Sequence, residues 1–158
     1  VYGDSPRKRF DLVVNRFILM ALKKININLY GGNSWRPFIS VNDVTRSFLK
    51  ILHSDEKIIK RQIFNLGGET QNFKIIDIIY QIKKSLKINF QKVKEVDDKR
   101  NYKVSFKKIS KVLRFHPKDS LKKSITDLIH KYKKIKINER DVNYYNDKKI
   151  AKILTLEK

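Results

Sequence analysis

The chain has 158 residues, 41% of them hydrophobic and 11% aromatic, which is enough to form one folded domain of ordinary size. It contains no cysteine, which excludes disulfides and a thiolate metal site and favours a reducing compartment, so we expect the cytoplasm. The three histidines are scattered and predict no metal site. No segment approaches the roughly 18 apolar residues of a membrane span. The N-terminus also lacks the pattern of a signal peptide.

The formal charge of +21 raises one alternative function, that of a small basic nucleic-acid-binding protein. Clustered Lys and Arg side chains bind nucleic acids because they release counterions from the phosphate backbone. Here most of the 37 basic residues are lysines, and they are spread through every segment rather than gathered in one stripe. Isoleucine and asparagine are also abundant, which is typical of A/T-rich coding sequence. The composition alone therefore predicts no particular nucleic-acid site.

The first residues are typical of a strand that runs into a turn at Gly3 and Pro6. No element precedes that strand, which predicts that the chain derives from a truncated or split reading frame. Residues 11–24 carry apolar side chains at helical spacing and predict an amphipathic helix. A short strand is expected around Ile27 and Leu29, followed by a tight turn at Gly31-Gly32 because glycine tolerates positive φ.

The chain then continues with a predicted strand at 36–41 and a helix that Asn42 or Asp43 would cap. The apolar stripe expected to bury that helix consists of Val44, Phe48, Ile51 and Leu52. The elements predicted after it are a strand at 62–66 that ends at Gly67-Gly68, a helix at 73–86, a strand at 102–106, and helices at 107–113 and 121–132, the last capped by Ser120.

Beyond residue 133 the hydrophobic period decays, with only Ile150, Ile153 and Leu154 suggesting a loose helix. We therefore divide the chain into a folded portion at 1–133 and a poorly defined C-terminal tail at 134–158.

Several short motifs occur in a fixed order along this pattern. They are Ser5-Pro6-Arg7-Lys8-Arg9-Phe10-Asp11, Tyr30-Gly31-Gly32, Trp35-Arg36-Pro37-Phe38-Ile39, Val41-Asn42-Asp43-Val44, Phe64-Asn65-Leu66-Gly67-Gly68 and Arg100-Asn101-Tyr102-Lys103-Val104. In this order they resemble the NAD-dependent epimerase/dehydratase family of extended short-chain dehydrogenases/reductases, from residue 1 to about 132. The resemblance implies an α/β fold of mixed short strands and helices, the C-terminal substrate-binding part of such an enzyme, with the Rossmann half absent.

In the proteins that this chain resembles, arginines matching Arg36 and Arg100 contact the phosphates of a nucleotide-diphosphate sugar. The chemistry suits the role, because a guanidinium stays charged and offers paired donors to phosphate oxygens. The alternative for each is a surface arginine in an exposed ion pair, which contributes little to stability. The motif around Arg36 favours phosphate contact more firmly than the one around Arg100.

The resemblance also places four further residues near the nucleoside. Tyr30 and Asn28 would lie beside the nucleobase and ribose. Leu12 would approach the same base, and Asn15 would reach the substrate. The alternatives are a half-buried strand residue for Tyr30, helix core for Leu12 and a solvent-facing side chain for Asn15. Lys103 departs from the family, since several epimerases carry an acidic residue there that contacts the ribose.

The family's chemistry requires a Gly-x-x-Gly-x-x-Gly cofactor loop and a catalytic Tyr-x-x-x-Lys pair, and neither is recognised here. Tyr80 and Lys84 have the second spacing but fall on a helix that the resemblance makes peripheral, where they predict a surface pair. The chain alone is thus predicted to bind no cofactor and to be inactive, either as a segment completed by a separate N-terminal Rossmann segment or as an orphan fragment without activity; the sequence does not distinguish the two. NAD(P) is expected for the complete enzyme.

Overall fold

The computed structural model describes residues 1–93, 100–138 and 141–156. Among them, short strands pair into two two-stranded sheets and helices surround them. The strands are β1 (Ile27–Leu29), β2 (Trp35–Pro37), β3 (Asn72–Lys74) and β4 (Phe90–Lys92). The helices are α1 (Val13–Leu22), α2 (Val41–Leu52), α3 (Glu56–Ile59), α4 (Ile75–Lys83), α5 (Lys107–Leu113), α6 (Leu121–Lys133) and α7 (Asn146–Leu156).

The main core lies where α1, α4 and α6 pack against one another. Each helix buries apolar residues at helical spacing, and those buried almost completely include Val14, Ile18, Ile78, Ile79, Ile82 and Ile125. Burial of each such side chain contributes about 1.5–3 kcal/mol, so this three-helix contact is the main stabilising feature of the described fold. The helices predicted at 11–24, 107–113 and 121–132 are confirmed, and Ser120 caps α6 through the amide of Lys123.

The predicted strand at Ile27 and Leu29 is confirmed, but its partner was not predicted. Strand β1 pairs in parallel with β4, in the register Ile27 with Phe90 and Leu29 with Lys92. Only Phe90 of β4 has a strongly strand-forming side chain, so tertiary pairing rather than local preference creates this strand.

Helix α2 differs from its prediction in both start and orientation. Its cap is Ser40, whose hydroxyl accepts from the amide of Asp43, and not Asn42 or Asp43. The predicted apolar stripe is wrong as a buried face, because Phe48 is 58% and Leu52 77% exposed. The buried side chains of α2 are instead polar, Asp43 and Ser47.

The strands predicted at 62–66 and 102–106 do not form, and the one at 36–41 shortens to β2. A strand requires a neighbour in register, and within the described part of the chain residues 62–66 have none; Ile63 is 84% exposed. Residues 101–104 lie beside the β2–β3 pair but bond to it largely through the side chains of Asn101 and Asn72. Strand β2 ends at Pro37, which has no amide hydrogen to extend the ladder.

A second small core forms around α5, from Phe106, Ile109, Leu113 and Phe115, with Phe64 and Leu66 packed on it. Gly67 allows this packing, since a Cβ atom there would lie 2.5 Å from the Phe106 ring. The Gly67-Gly68 pair therefore permits close approach of an aromatic ring, and it ends no strand.

The C-terminal segment contacts the main core. Tyr144 meets the ring of Phe10 edge-on at 5.3 Å between centroids, and the Phe10 amide donates to the carbonyl of Tyr144 at 3.0 Å. Ile137 is also buried. The boundary at residues 133 and 134 stays a prediction.

Tyr132 of α6 offers a test of the core, since its hydroxyl is buried and has no hydrogen-bond partner among the described residues. We expect Tyr132→Phe to raise the free energy of unfolding by about 1 kcal/mol, because the ring contact with Phe10 is kept and an unpaired polar atom is removed. Urea denaturation measures this, with exposed Tyr80→Phe as the control expected to change little. A loss of stability in Tyr132→Phe would contradict the conclusion that the buried Tyr132 hydroxyl has no hydrogen-bond partner.

The buried hydroxyl of Tyr132 also predicts a loss of folding stability at alkaline pH. Burial first, and then the charge of Asp4, raise the pKa of the Tyr132 hydroxyl. The unfolded chain therefore loses this proton first, and stability falls as the pH rises above about 10, the ordinary tyrosine pKa. Tyr132→Phe should lack this component of the alkaline loss.

Among the described residues, no helix is both long and apolar enough to cross a membrane.

Candidate functional site

The site predicted around Arg36 is built on β2, β3 and the segment 100–104, which together we call the β2 platform. Strand β2 pairs antiparallel with β3, so that Trp35 lies opposite Lys74 and Arg36 opposite Phe73. The platform therefore presents an aromatic ring and a guanidinium on neighbouring positions of one short strand.

Side-chain amides fasten the segment 100–104 to this ribbon. The Trp35 amide donates to Oδ1 of Asn101 at 2.9 Å, and the Tyr102 amide donates to the Trp35 carbonyl at 3.3 Å. Asn72 exchanges two hydrogen bonds with the backbone of Val104, at 2.9 and 3.0 Å. Asparagines thus replace the backbone ladder that the predicted strand at 102–106 would have made.

This arrangement brings the segment that begins at Arg100 against Arg36. The Arg36 guanidinium lies 5.5 Å from the centroid of the Tyr102 ring, and its Nη1 donates to the Trp35 carbonyl at 2.8 Å. Arg100 is exposed and precedes Tyr102 by two residues. The two arginines predicted to bind phosphate therefore belong to the same small region of the fold.

Two lysines lie beside Trp35, whose side chain is on the opposite face of β2 from that of Arg36; the sequence analysis noted Lys103 as a departure from the family and did not single out Lys74. Nζ of Lys103 lies 3.8 Å and that of Lys74 5.7 Å from the centroid of the Trp35 ring. Such cation–π contacts hold ammonium groups in place at a modest energetic gain. In the sequence, the adjacent aromatic and basic residues of Trp35-Arg36 and Tyr102-Lys103 were the available sign of these cation–π contacts. Lys74 gave no such sign, because it meets Trp35 only through the pairing of β2 with β3.

Tyr30 and Asn28 lie at the other end of the turn that leads into β2. Gly31 has φ +56°, and its carbonyl accepts from the Ser34 amide at 2.9 Å, which closes this turn. Tyr30 is 52% exposed. Oδ1 of Asn28 accepts from Nε2 of Gln91 at 2.7 Å across the β1–β4 pair.

Leu12 and Asn15 lie at the start of α1. Leu12 is the half-buried residue that precedes the helix. Asn15 is 2% exposed, and its amide donates to the Gly3 carbonyl at 3.1 Å and accepts from the Gly3 amide at 3.3 Å. In this structure the Asn15 side chain holds the N-terminal segment onto α1, so a substrate contact by it stays a prediction.

Other candidate groups lie elsewhere. Tyr80 is on the outer side of α4, where its ring meets Phe90 edge-on at 6.4 Å, and Lys84 ends the same helix. Within the described residues, no three His, Cys, Asp or Glu side chains come together as a metal site.

A buried acidic network, which the sequence analysis reduced to helix capping, joins α2 to the loop before α6. The Asp43 carboxylate is fully buried, accepts from the amides of Lys118 and Asp119 at 2.8 and 3.1 Å, and pairs with Arg46. Partial burial raises the pKa of the Asp119 carboxyl, but hydrogen bonds from Ser40, Asn42 and Arg46 outweigh it and leave that pKa below its usual range.

Comparison with known proteins connects this geometry to a family. Residues 1–67 match the family model of the NAD dependent epimerase/dehydratase family. The fold resembles that of UDP-glucuronic acid 4-epimerase from Bacillus cereus, solved with UDP-glucuronic acid and NAD, with a TM-score of 0.68 and 26% identity over 83% of this chain and 43% of that one.

Two further structures share the fold at lower identity. Pal from Bacillus thuringiensis gives a TM-score of 0.73 at 23% identity over 85% of this chain and 44% of its own. MoeE5, solved with UDP-glucuronic acid and NAD, gives 0.69 at 20% identity over 84% and 44%. The chain thus spans less than half the length of these proteins. The resemblance seen in the sequence is confirmed over residues 1–67, which match the family model, and the described fold matches the C-terminal portion of extended short-chain dehydrogenase/reductase epimerases.

Proposed function

We propose that this chain is the nucleotide-sugar-binding portion of an NAD-dependent sugar epimerase or dehydratase, and that it binds the diphosphate on the β2 platform. The observation that carries the proposal is the position of Arg36, held between the Trp35 carbonyl and the Tyr102 ring on the segment that starts at Arg100. A guanidinium fixed in this way loses little conformational freedom when it binds phosphate.

The charges of the platform suit a diphosphate. Arg36 and Arg100 supply positive charge beside Tyr102, and a nucleotide-diphosphate sugar brings two negative charges that accept charge-assisted hydrogen bonds. Lys74 and Lys103 add charge on the Trp35 face of the same short strand. Lysine at position 103 would offer the ribose a donor, where the family's acidic residue offers an acceptor.

The turn at Gly31 supports a place for the nucleoside next to this diphosphate. It separates exposed Tyr30 from β2 by four residues, so an aromatic face and a guanidinium lie at the two ends of one short connection. Tyr30 would stack on the base, and Asn28, Leu12 and Asn15 would line the nucleoside side of the site. UDP-glucuronic acid is the first ligand to test, because two of the similar structures contain it.

The chemistry itself would come from a Rossmann half that binds NAD(P). An exposed apolar surface supports docking of such a half, whether on the same polypeptide or a separate one. This surface, the α2 surface, consists of Phe48, Leu49, Leu52, Ile58 and Ile63, all at least 46% exposed. It lies beside the unpaired extended segment 62–66, whose backbone would add a strand to a neighbouring sheet. We expect this assembly in the cytoplasm.

Calorimetry with the purified chain tests the proposal. UDP-glucuronic acid and UDP should bind, uridine should bind at least about tenfold more weakly because it has no phosphate, and the chain should turn over no sugar with added NAD. Equal affinity for UDP and uridine would contradict the phosphate clamp. Tight, salt-sensitive binding of RNA or DNA with no response to UDP would instead favour the alternative of a basic nucleic-acid-binding protein.

A further inference from the structure

A second cluster of cations lies outside the β2 platform, in a cleft between α2 and the loop that joins α5 to α6. The cleft has a volume of about 330 Å³. Six of the side chains that line it are basic or titratable, and they are Arg46, Lys50, His53, Arg114, His116 and Lys118. None of the residues in its described lining is acidic, and none belongs to the β2 platform. We call this feature the basic cleft.

The fold holds the two walls of the basic cleft together. Asp43 on α2 accepts the amides of Lys118 and Asp119, which pins the loop to the helix. Arg46 pairs with Asp43 and Asp119, whereas Lys50, Arg114 and Lys118 make no ion pair with any described residue. The side chain of His53 is oriented by a 2.7 Å hydrogen bond from its Nδ1 to the Leu49 carbonyl. The walls of the cleft are therefore fixed, and exposed Lys50, Arg114 and Lys118 add positive charge that no described carboxylate compensates.

Arg114 has an uncommon backbone conformation, which it shares with Lys24 and Arg61 among the described non-glycine residues. This residue ends α5 in the left-handed region, at φ +49° and ψ +36°. That position favours glycine, because a side chain there brings Cβ too close to the backbone. The chain accepts this cost at Arg114, which places a guanidinium on the wall of the cleft.

The cleft borders the α2 surface at Leu49, and its cations lie on another side of α2 from Phe48. His53 is five positions after Phe48, which is roughly 140° around the helix, and Arg46 lies on the same side as His53.

We propose that the basic cleft binds a small anion with adjacent phosphate groups, at a site separate from the one proposed for the nucleotide sugar. Closely spaced cations favour a ligand with several charges in a short length, and guanidinium groups match phosphate oxygens in pairs. Leu49 and Phe115 provide apolar contact at the edge of the same cleft.

The test is titration of the full chain with sodium tripolyphosphate and pyrophosphate at about 0.15 M salt, where distant charges are screened. The double variant Arg114→Gly/Lys118→Gln should bind tripolyphosphate at least about tenfold more weakly. Lys83→Gln/Lys122→Gln removes the same net charge from exposed positions elsewhere and should bind as the parent does. Both double variants are also made in the Arg36→Gln chain, in which the β2 platform lacks its central cation, so the difference between them reports the basic cleft whether or not the nucleotide-sugar proposal holds.

Arg114→Gly has a further use, because glycine relieves the left-handed strain. Its Tm should be no lower than that of the parent, so its loss of affinity cannot come from unfolding. Equal weakening in the Lys83/Lys122 control would show general electrostatic attraction and overturn the proposal. So would equal tripolyphosphate affinity of the Arg36→Gln chain with and without Arg114→Gly/Lys118→Gln, or binding of RNA without any binding of the two phosphates.

Discussion

Replacing Arg36 with glutamine is expected to weaken the binding of UDP-glucuronic acid by about tenfold or more. Glutamine keeps a polar side chain of moderate length but removes the positive charge and the paired donors, which contribute about 1.5–3 kcal/mol in a charge-assisted contact. It also removes the contact with the Tyr102 ring that fixes the group. Calorimetric titration of the parent and the variant measures the difference.

A matched control keeps the net charge equal. Arg16 lies exposed on α1, and Arg16→Gln should leave the affinity within about twofold of the parent, since long-range charge is screened at physiological salt. Arg36→Lys should recover part of the affinity through charge alone, without the bidentate geometry. If Arg16→Gln and Arg36→Gln weaken binding equally, the β2 platform does not hold the phosphates. Circular dichroism of each variant verifies that the fold is kept.

Local periodicity explains which elements could be predicted. Helices α1, α5 and α6 follow from apolar spacing, and Ser120 marks the start of α6, because these signals depend on neighbours in sequence. Strands depend on a partner instead. Residues 62–66 have strand-like composition but no described neighbour, and β4 has a weak strand pattern but pairs with β1. Neither outcome could be deduced from the segments alone.

The sequence of α2 alone also does not determine which face of this helix is buried. Its apolar stripe, which includes Phe48 and Leu52, predicts the buried face of the helix, whereas the fold buries Asp43 and Ser47. Burial of a carboxylate is favourable only when its oxygens receive donors, and these come from Arg46 and from a loop about 75 residues further along the chain. In the same way, Arg36 was predictable from its motif, but its contact with Tyr102 was not.

Asp43 is therefore the residue whose replacement should cost the described fold most. Its carboxylate receives the amides of Lys118 and Asp119 at 2.8 and 3.1 Å and the guanidinium of Arg46, all on a side chain with no exposed surface. This group links the start of α2 to the approach of α6, and so joins the two elements that enclose the basic cleft. Removing it leaves buried donors without acceptors.

Asp43→Asn is expected to lower the free energy of unfolding by about 3 kcal/mol. The amide is the same size, but it carries one acceptor oxygen in place of two and turns an NH₂ group toward donors, while Arg46 loses its closest charge. Urea denaturation measures the change. Asp127→Asn, on the exposed side of α6, is the matched control and should alter stability by less than about 0.5 kcal/mol. A loss below about 1 kcal/mol in Asp43→Asn would mean that water or rearranged side chains satisfy the two amides, and that the junction between α2 and the loop before α6 does not depend on this carboxylate.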